Sequence, residues 1–181
     1  MVEVLVAVSI LMLSIIGPIT IAAKAMQSAQ FVRQQDTAFF LAQEGISLAN
    51  ALRNDGELAA YTTGGATDPW SWVTNPDLGP CFLAQGCDID ARDDTLLDNV
   101  VSCSASANAC TLLYDNSKPQ TQRAVYQHVS GTATPYTRVI TFTVASGNEI
   151  KVKVDVSWNA TLLHGTQTVT LQTSLFNLYN F

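Results

Sequence analysis

Residues 1–26 read MVEVLVAVSILMLSIIGPITIAAKAM. From Val4 to Ala23 the stretch carries no charge, and only Ser9, Ser14 and Thr20 are polar. About 20 consecutive apolar residues suffice to cross a bilayer as a helix. A conventional secretory signal fits poorly, because the run is too long and no small-residue cleavage site closes it. The anomaly is Glu3. An acid within or at the end of such a run is rare and marks a function by default. A charge at the bilayer centre costs about 3 kcal/mol on insertion scales, although near a helix end it reaches the headgroups cheaply. That escape closes once the helix enters a dry bundle, where an unpaired carboxylate needs a cationic partner. No Lys or Arg precedes Lys24, so none lies within reach of Glu3 on its own helix and the partner is expected from another chain.

The helical signal outlasts the apolar run. Residues 22–56, AAKAMQSAQFVRQQDTAFFLAQEGISLANALRNDG, are rich in Ala, Gln and Leu, which suit a helix. Apolar residues recur at three- and four-residue spacing, as at Phe39, Ala42, Ile46, Ala49 and Leu52, so this part is amphipathic. Asn54-Asp55-Gly56 reads as the stop, with Gly56 as a left-handed cap. A helix over residues 2–54 would be about 80 Å long at about 1.5 Å per residue. Gly17-Pro18 is expected to break it into a greasy half and an amphipathic half.

Residues 57–122 read as loop-rich, with turn formers dense in YTTGGATDPW and NPDLGP, and with Trp70 and Trp72 expected to anchor the loop on apolar neighbours. The four cysteines, Cys81, Cys87, Cys103 and Cys110, all fall here. An even, clustered set in an anchored chain points to disulfides and an oxidising compartment, and no pair has the C-x-x-C spacing of most structural zinc sites. Three pairings are open, with Cys81–Cys87 and Cys103–Cys110 preferred.

From about Ala124 the period becomes two. Ile140, Phe142 and Val144 alternate with Thr141 and Thr143. Beyond a turn at Ser146-Gly147-Asn148, Ile150, Val152, Val154, Val156 and Trp158 alternate with Lys151, Lys153, Asp155 and Ser157. Beyond His164-Gly165, Val169, Leu171, Thr173 and Leu175 do the same. This is an antiparallel meander with one apolar face, which the amphipathic helix is expected to cover. The fold class is therefore α+β, a long N-terminal helix packed on a C-terminal antiparallel sheet. Its parts are a hydrophobic helix over 1–25, an amphipathic continuation over 26–55, a disulfide-stapled region over 56–123 and a sheet over 124–181.

Net charge is −6, and the nine basic residues lie scattered from Lys24 to Lys153. A nucleic-acid binder needs a basic stripe, and this chain offers none. The enzyme inventory is equally thin. His128 and His164, the only histidines, read as a strand and a turn residue outside any H-E-x-x-H, G-x-S-x-G or P-loop pattern. CDIDARDDTLLDN, from Cys87 to Asn99, resembles a calcium loop in Asp88 and Asp90, but Arg92 replaces the third ligand and Asp93 the required glycine. No cofactor, metal or catalytic residue is expected.

MVEVLVAVSIL, the Gly-Pro that follows and the helical continuation together resemble the type IV pilin and pseudopilin N-terminus, and LAQEGISLANALRN is similar to the helix segment of prepilin-like proteins. The resemblance spans roughly the first 54 residues and beyond them is only architectural. Members usually begin with Phe-Thr and one more apolar residue before the Val-Glu pair, whereas here Met1 stands at what looks like that third position. Many pilins also staple a loop near the C-terminus rather than between helix and sheet. The resemblance implies a subunit that polymerises into a surface filament serving adhesion, motility or DNA uptake, drawn from a pool in the cytoplasmic membrane. Its implied partners are further copies of itself, prepilin peptidase and the assembly machinery. Glu3 would pair with the terminal amine of a neighbouring subunit. Pseudopilins of secretion systems share these features, and a single-pass anchor bearing an ectodomain would share the apolar helix. By the positive-inside rule, Lys24 and Arg33 after the helix would leave the cysteines in a reducing cytoplasm. A basic leader, removed before Met1, would reconcile the two.

Overall fold

The computed structural model describes residues 2–62, 68, 70–90, 100–115, 125–128, 130–160 and 165–177. The N-terminal half of the chain's regular structure is a single helix, α1 (Val2–Thr62). It is not divided at Gly17-Pro18, since Pro18 lies inside it. Proline removes one backbone bond and costs about 3 kcal/mol in a helix interior, but the turns on either side keep their own bonds. Nor does α1 stop at Gly56. Leu52 and Ala60 are both buried on the head, and Arg53 and Glu57 face each other one turn apart at 3.7 Å. Packing across the glycine thus outweighs its poor helix propensity of about 1 kcal/mol.

After α1 come two short 3-10 helices, Ser71–Thr74 and Pro76–Phe82. The strands are β1 (Cys87–Ile89), β2 (Val100–Ser102), β3 (Thr111–Asp115), β4 (Val125–Gln127), β5 (Thr132–Ser146), β6 (Glu149–Ala160) and β7 (Gly165–Phe176). All pair antiparallel in one sheet. β5 is its spine. One edge of β5 takes β6, with β7 beyond; the other takes β1 and β3 in succession, backed by β2 and β4. The sheet therefore begins well before residue 124. The region expected as loop contributes β1, β2 and β3, strands of three to five residues that are too short to show a period.

β5 also starts earlier than its alternation shows, and it contains Pro135. A proline cannot donate to the ladder and is confined to edges and irregularities. The pairing with β3 accordingly shifts register between Thr111 and Leu113, and Thr134 Oγ1 donates to Leu112 O at 2.7 Å. Gly86, just before β1, has φ +69°, and a Cβ there would sit 2.6 Å from Val139 Cγ1 and 2.8 Å from Ile140 O. Only glycine fits that turn.

The expected apolar face is the core. Ile140, Phe142, Ile150, Val152, Val154, Val156, Trp158 and Leu175 are buried, while Lys151 and Lys153 are exposed on the reverse face. Val144, at the end of the pattern, is 57% exposed. Trp72 stands edge-on to Phe142 at 6.0 Å, as does Phe82 at 5.5 Å, which anchors the segment after α1. The disulfides are Cys81–Cys87 and Cys103–Cys110. Each closes a short loop where a strand begins or ends. The first joins the second 3-10 helix to β1, and the second spans the turn between β2 and β3.

Candidate assembly interface

α1 serves two surfaces, divided near Phe31. Every described side chain from Val2 to Gln30 is exposed, and none of the helix's most apolar window is buried. Val2 is 75% exposed and Ile21 70%, with Leu5, Ile10, Leu11, Met12, Ile16 and Ile19 not far below. Burying a large apolar side chain is worth about 2 kcal/mol. A stem of this kind in water forgoes on the order of 20 kcal/mol, more than a domain's net stability of about 5–15 kcal/mol. It needs a cover of lipid or protein.

The hydroxyls of the uncharged run from Val4 to Ala23 do not spoil that surface. Ser9 Oγ donates to Leu5 O at 2.7 Å, Ser14 Oγ to Leu11 O at 2.8 Å and Thr20 Oγ1 to Gly17 O at 2.8 Å. Each hydroxyl is satisfied by its own helix, which is what an apolar surrounding requires. Glu3 stands before that run. It lies exposed in the first turn of α1, where a carboxylate suits the positive end of the helix dipole. Among the described residues it has no ionic partner.

From Phe31 onward α1 belongs to the head and packs mainly over β6 and β7. The face that does so is Ala38, Leu41, Ala42, Gly45, Leu48, Ala49 and Leu52. It is rotated from the expected stripe: Ile46 is half-buried, and Phe39 (42% exposed) and Phe40 (66%) meet edge to face outside. Small residues bring the helix close. A Cβ on Gly45 would lie 2.9 Å from Val154 Cγ1. Trp158, on β6, receives Phe31 and Tyr136 at ring distances of 6.3 and 6.4 Å.

Polar groups of β5 fasten the helix to the sheet: the Tyr136 hydroxyl donates to Gln34 O at 3.3 Å, and Arg138 reaches Glu44. Arg138 of β5 is 1% exposed and spends its whole guanidinium inside the head. Nε donates to Asp88 Oδ1 at 2.7 Å, Nη1 to Glu44 Oε2 at 2.8 Å and Nη2 to Ile89 O at 3.1 Å. Burial would push the guanidinium's pKa down, but Asp88 and Glu44 outweigh it and hold the pKa above its usual value. Asp88 is fully buried, and its second oxygen meets His128 Nε2 at 2.8 Å. Asp90 Oδ2 accepts the His128 backbone N–H at 3.0 Å. A buried charge is tolerable only with partners and hydrogen bonds of this kind.

The residues considered for a calcium loop are thus engaged otherwise: Asp88 neutralises a guanidinium, while Arg92 and Asp93 lie outside the described residues, as does His164. Among the described residues no group of three His, Cys, Asp or Glu side chains could hold a metal ion. His128, read from the sequence as a plain strand residue, follows β4 and closes the charge network. Arg138 stands in no recognisable motif of the sequence. Its position two residues before Ile140 put a charge on the inward parity of β5, and that was the available signal. No protein-family profile, curated protein or solved structure matches the chain.

Proposed function

We propose that this chain is a pilin-like structural subunit, held in a membrane by the first half of α1 and assembled through it into a surface filament. The observation that carries the reading is the division of one unbroken helix. The described side chains of residues 2–30 are exposed, with an uncharged apolar run from Val4 to Ala23, whereas the continuation from Phe31 is built into the core of the head. Exchange of lipid for helix–helix contact is nearly neutral in hydrophobic terms. What favours the bundle is close approach at small residues such as Ala7, Ser9, Ser14 and Gly17, and a cationic partner for Glu3 supplied by a neighbouring subunit. Arg138 and its carboxylates make helix and sheet a single rigid lever, so that assembling the stem also places the head, with its disulfide-pinned loops, on the filament surface.

The test is Glu3→Ala in the producing cell. The variant is expected to accumulate in membranes and to be missing from filaments sheared off the surface. Normal filaments from the variant would refute the assembly role of Glu3. A wild-type chain found only in membranes would favour a single-pass anchor carrying an ectodomain.

A further inference from the structure

The sheet has one long uncovered edge. β7 pairs with β6 over twelve consecutive positions, from Ala160↔Gly165 to Glu149↔Phe176, without a register shift. Its other side faces no strand among the described residues. The far side of the sheet ends in β2 and β4, of three residues each. Proteins blunt exposed edges by keeping them short or by placing charge, proline or a bulge on them. β7 uses none of these devices: GTQTVTLQTSLF has no charged residue and no proline, and it is rich in Thr and other strand formers.

We infer that the β7 edge is a pairing site for β7 of a second copy of this chain, joined antiparallel about Thr170. Opposed residues of one sheet must point to the same face, so the two-fold centre falls on a residue. Centred on Thr170, the register sets Thr170 against itself, Thr168 against Gln172 and Thr166 against Ser174 on the outer face. On the face toward α1 it sets Val169 against Leu171 and Gln167 against Thr173. Val169 and Leu171 are only half-buried in the single chain, and this pairing covers both. Every opposed pair is polar with polar or apolar with apolar.

Charge does not oppose a second copy despite the net −6 of each chain; the match of polar with polar and apolar with apolar is what favours it. The nearest acids, Asp155 and Glu149 on β6, are occupied by Thr170 and Ser174 of β7 at 2.6 and 2.9 Å. Across the joint, Asp155 and its counterpart would be three strand spacings apart, about 14 Å. That exceeds the screening length of about 8 Å at physiological salt.

The symmetry has a consequence. A two-fold axis joining antiparallel strands stands normal to the sheet, and α1 lies flat on that sheet. The stems of the two copies therefore point in opposite directions. Such a pair cannot form between neighbours within one parallel assembly. It links two filaments running oppositely, or two facing surfaces. The strand pairing stands without the filament reading; only this consequence rests on it.

Cysteine scanning of the full chain, in membranes or detergent, tests the pairing. Opposed Cα atoms in antiparallel strands are about 4.5–5.5 Å apart, within disulfide reach. Thr170→Cys should cross-link to itself as a dimer on oxidation, and peptide mapping should find the 170–170 bond. Thr168→Cys alone should not, since two copies of residue 168 would be about 14 Å apart. A mixture of Thr168→Cys and Gln172→Cys should cross-link to each other in the same register. Equal cross-linking by Thr168→Cys alone and Thr170→Cys, or none by Thr170→Cys or the mixture, would overturn the proposal. If wild-type filaments form, Thr170→Lys should leave single filaments intact and abolish their side-by-side bundles. Bundles that persist would overturn the link between filaments. Cross-linking of Thr170→Cys in a chain that never leaves the membrane would uphold the pairing and refute the filament.

Discussion

At the scale of single residues, the head depends on Arg138 more than on any other polar group. Its side chain is buried with one carboxylate fully inside and the other, Glu44, 35% exposed. Removing one partner of a buried pair leaves an uncompensated charge and costs about 3–5 kcal/mol. Arg138→Ala strands the carboxylate of Asp88, so denaturant unfolding of the detergent-solubilised chain should show a loss of that size. Glu44→Gln breaks a pair that water already screens, and it should cost about 1 kcal/mol or less. Equal losses from the two substitutions would mean that the helix contact, not the buried Asp88 contact, carries the network. The residue scale was also where the sequence was least informative. Asp88 and Arg138 are fifty positions apart, and local pattern carries no trace of such a pairing. Arg138 occupies an inward position among Ile140 and Phe142, and a charge breaking a strand's apolar row is the one local sign that a buried partner exists.

At the scale of elements, the two bridges act locally. They close loops with sequence separations of 6 and 7, and loops that short are worth about 2 kcal/mol each through the unfolded chain. Replacing Cys103 and Cys110 together by Ser should lower unfolding stability by about that amount and leave α1 and the long hairpins in place by circular dichroism. Loss of all strand signal would show that the bridge holds up the sheet itself. The long elements were legible because many residues repeat one period: α1 through its composition, and β5, β6 and β7 through alternation that matches the more and less buried rows at Ile140–Phe142, Ile150–Trp158 and Val169–Leu175. Single-residue punctuation misled. Pro18 and Gly56 both read as breaks, yet each is a local penalty of about 1–3 kcal/mol set against many helix bonds and, at Gly56, against burial on both sides. The short strands β1 to β3 lie in the stretch expected as loop, because three to five residues held by long-range pairing and a disulfide display no period of their own. The rotated face of α1 has a similar cause. The helix approaches the sheet through Ala38, Ala42, Gly45 and Ala49, and small residues score weakly as apolar while packing best, which drew the expected stripe toward Phe39.

At the scale of the whole molecule, the chain divides into a head that covers its own core and a stem that covers nothing. A dozen large apolar side chains between Val2 and Met26 stand at half exposure or more, or close to it, and none is buried by the described residues of the head. Lipid and a helical bundle are the two surroundings that satisfy such a stem. Glu3 separates them, because a carboxylate at a membrane helix end can reach water, whereas within a bundle it requires a cation. Electron cryo-microscopy of material sheared from the cell surface tests this most directly. The account predicts filaments in which residues 2–30 of successive subunits form the central bundle, with Glu3 within about 4 Å of a cationic group on a neighbouring chain. A sheared fraction without this chain, or filaments whose axis excludes the stem and leaves Glu3 in solvent, would contradict it.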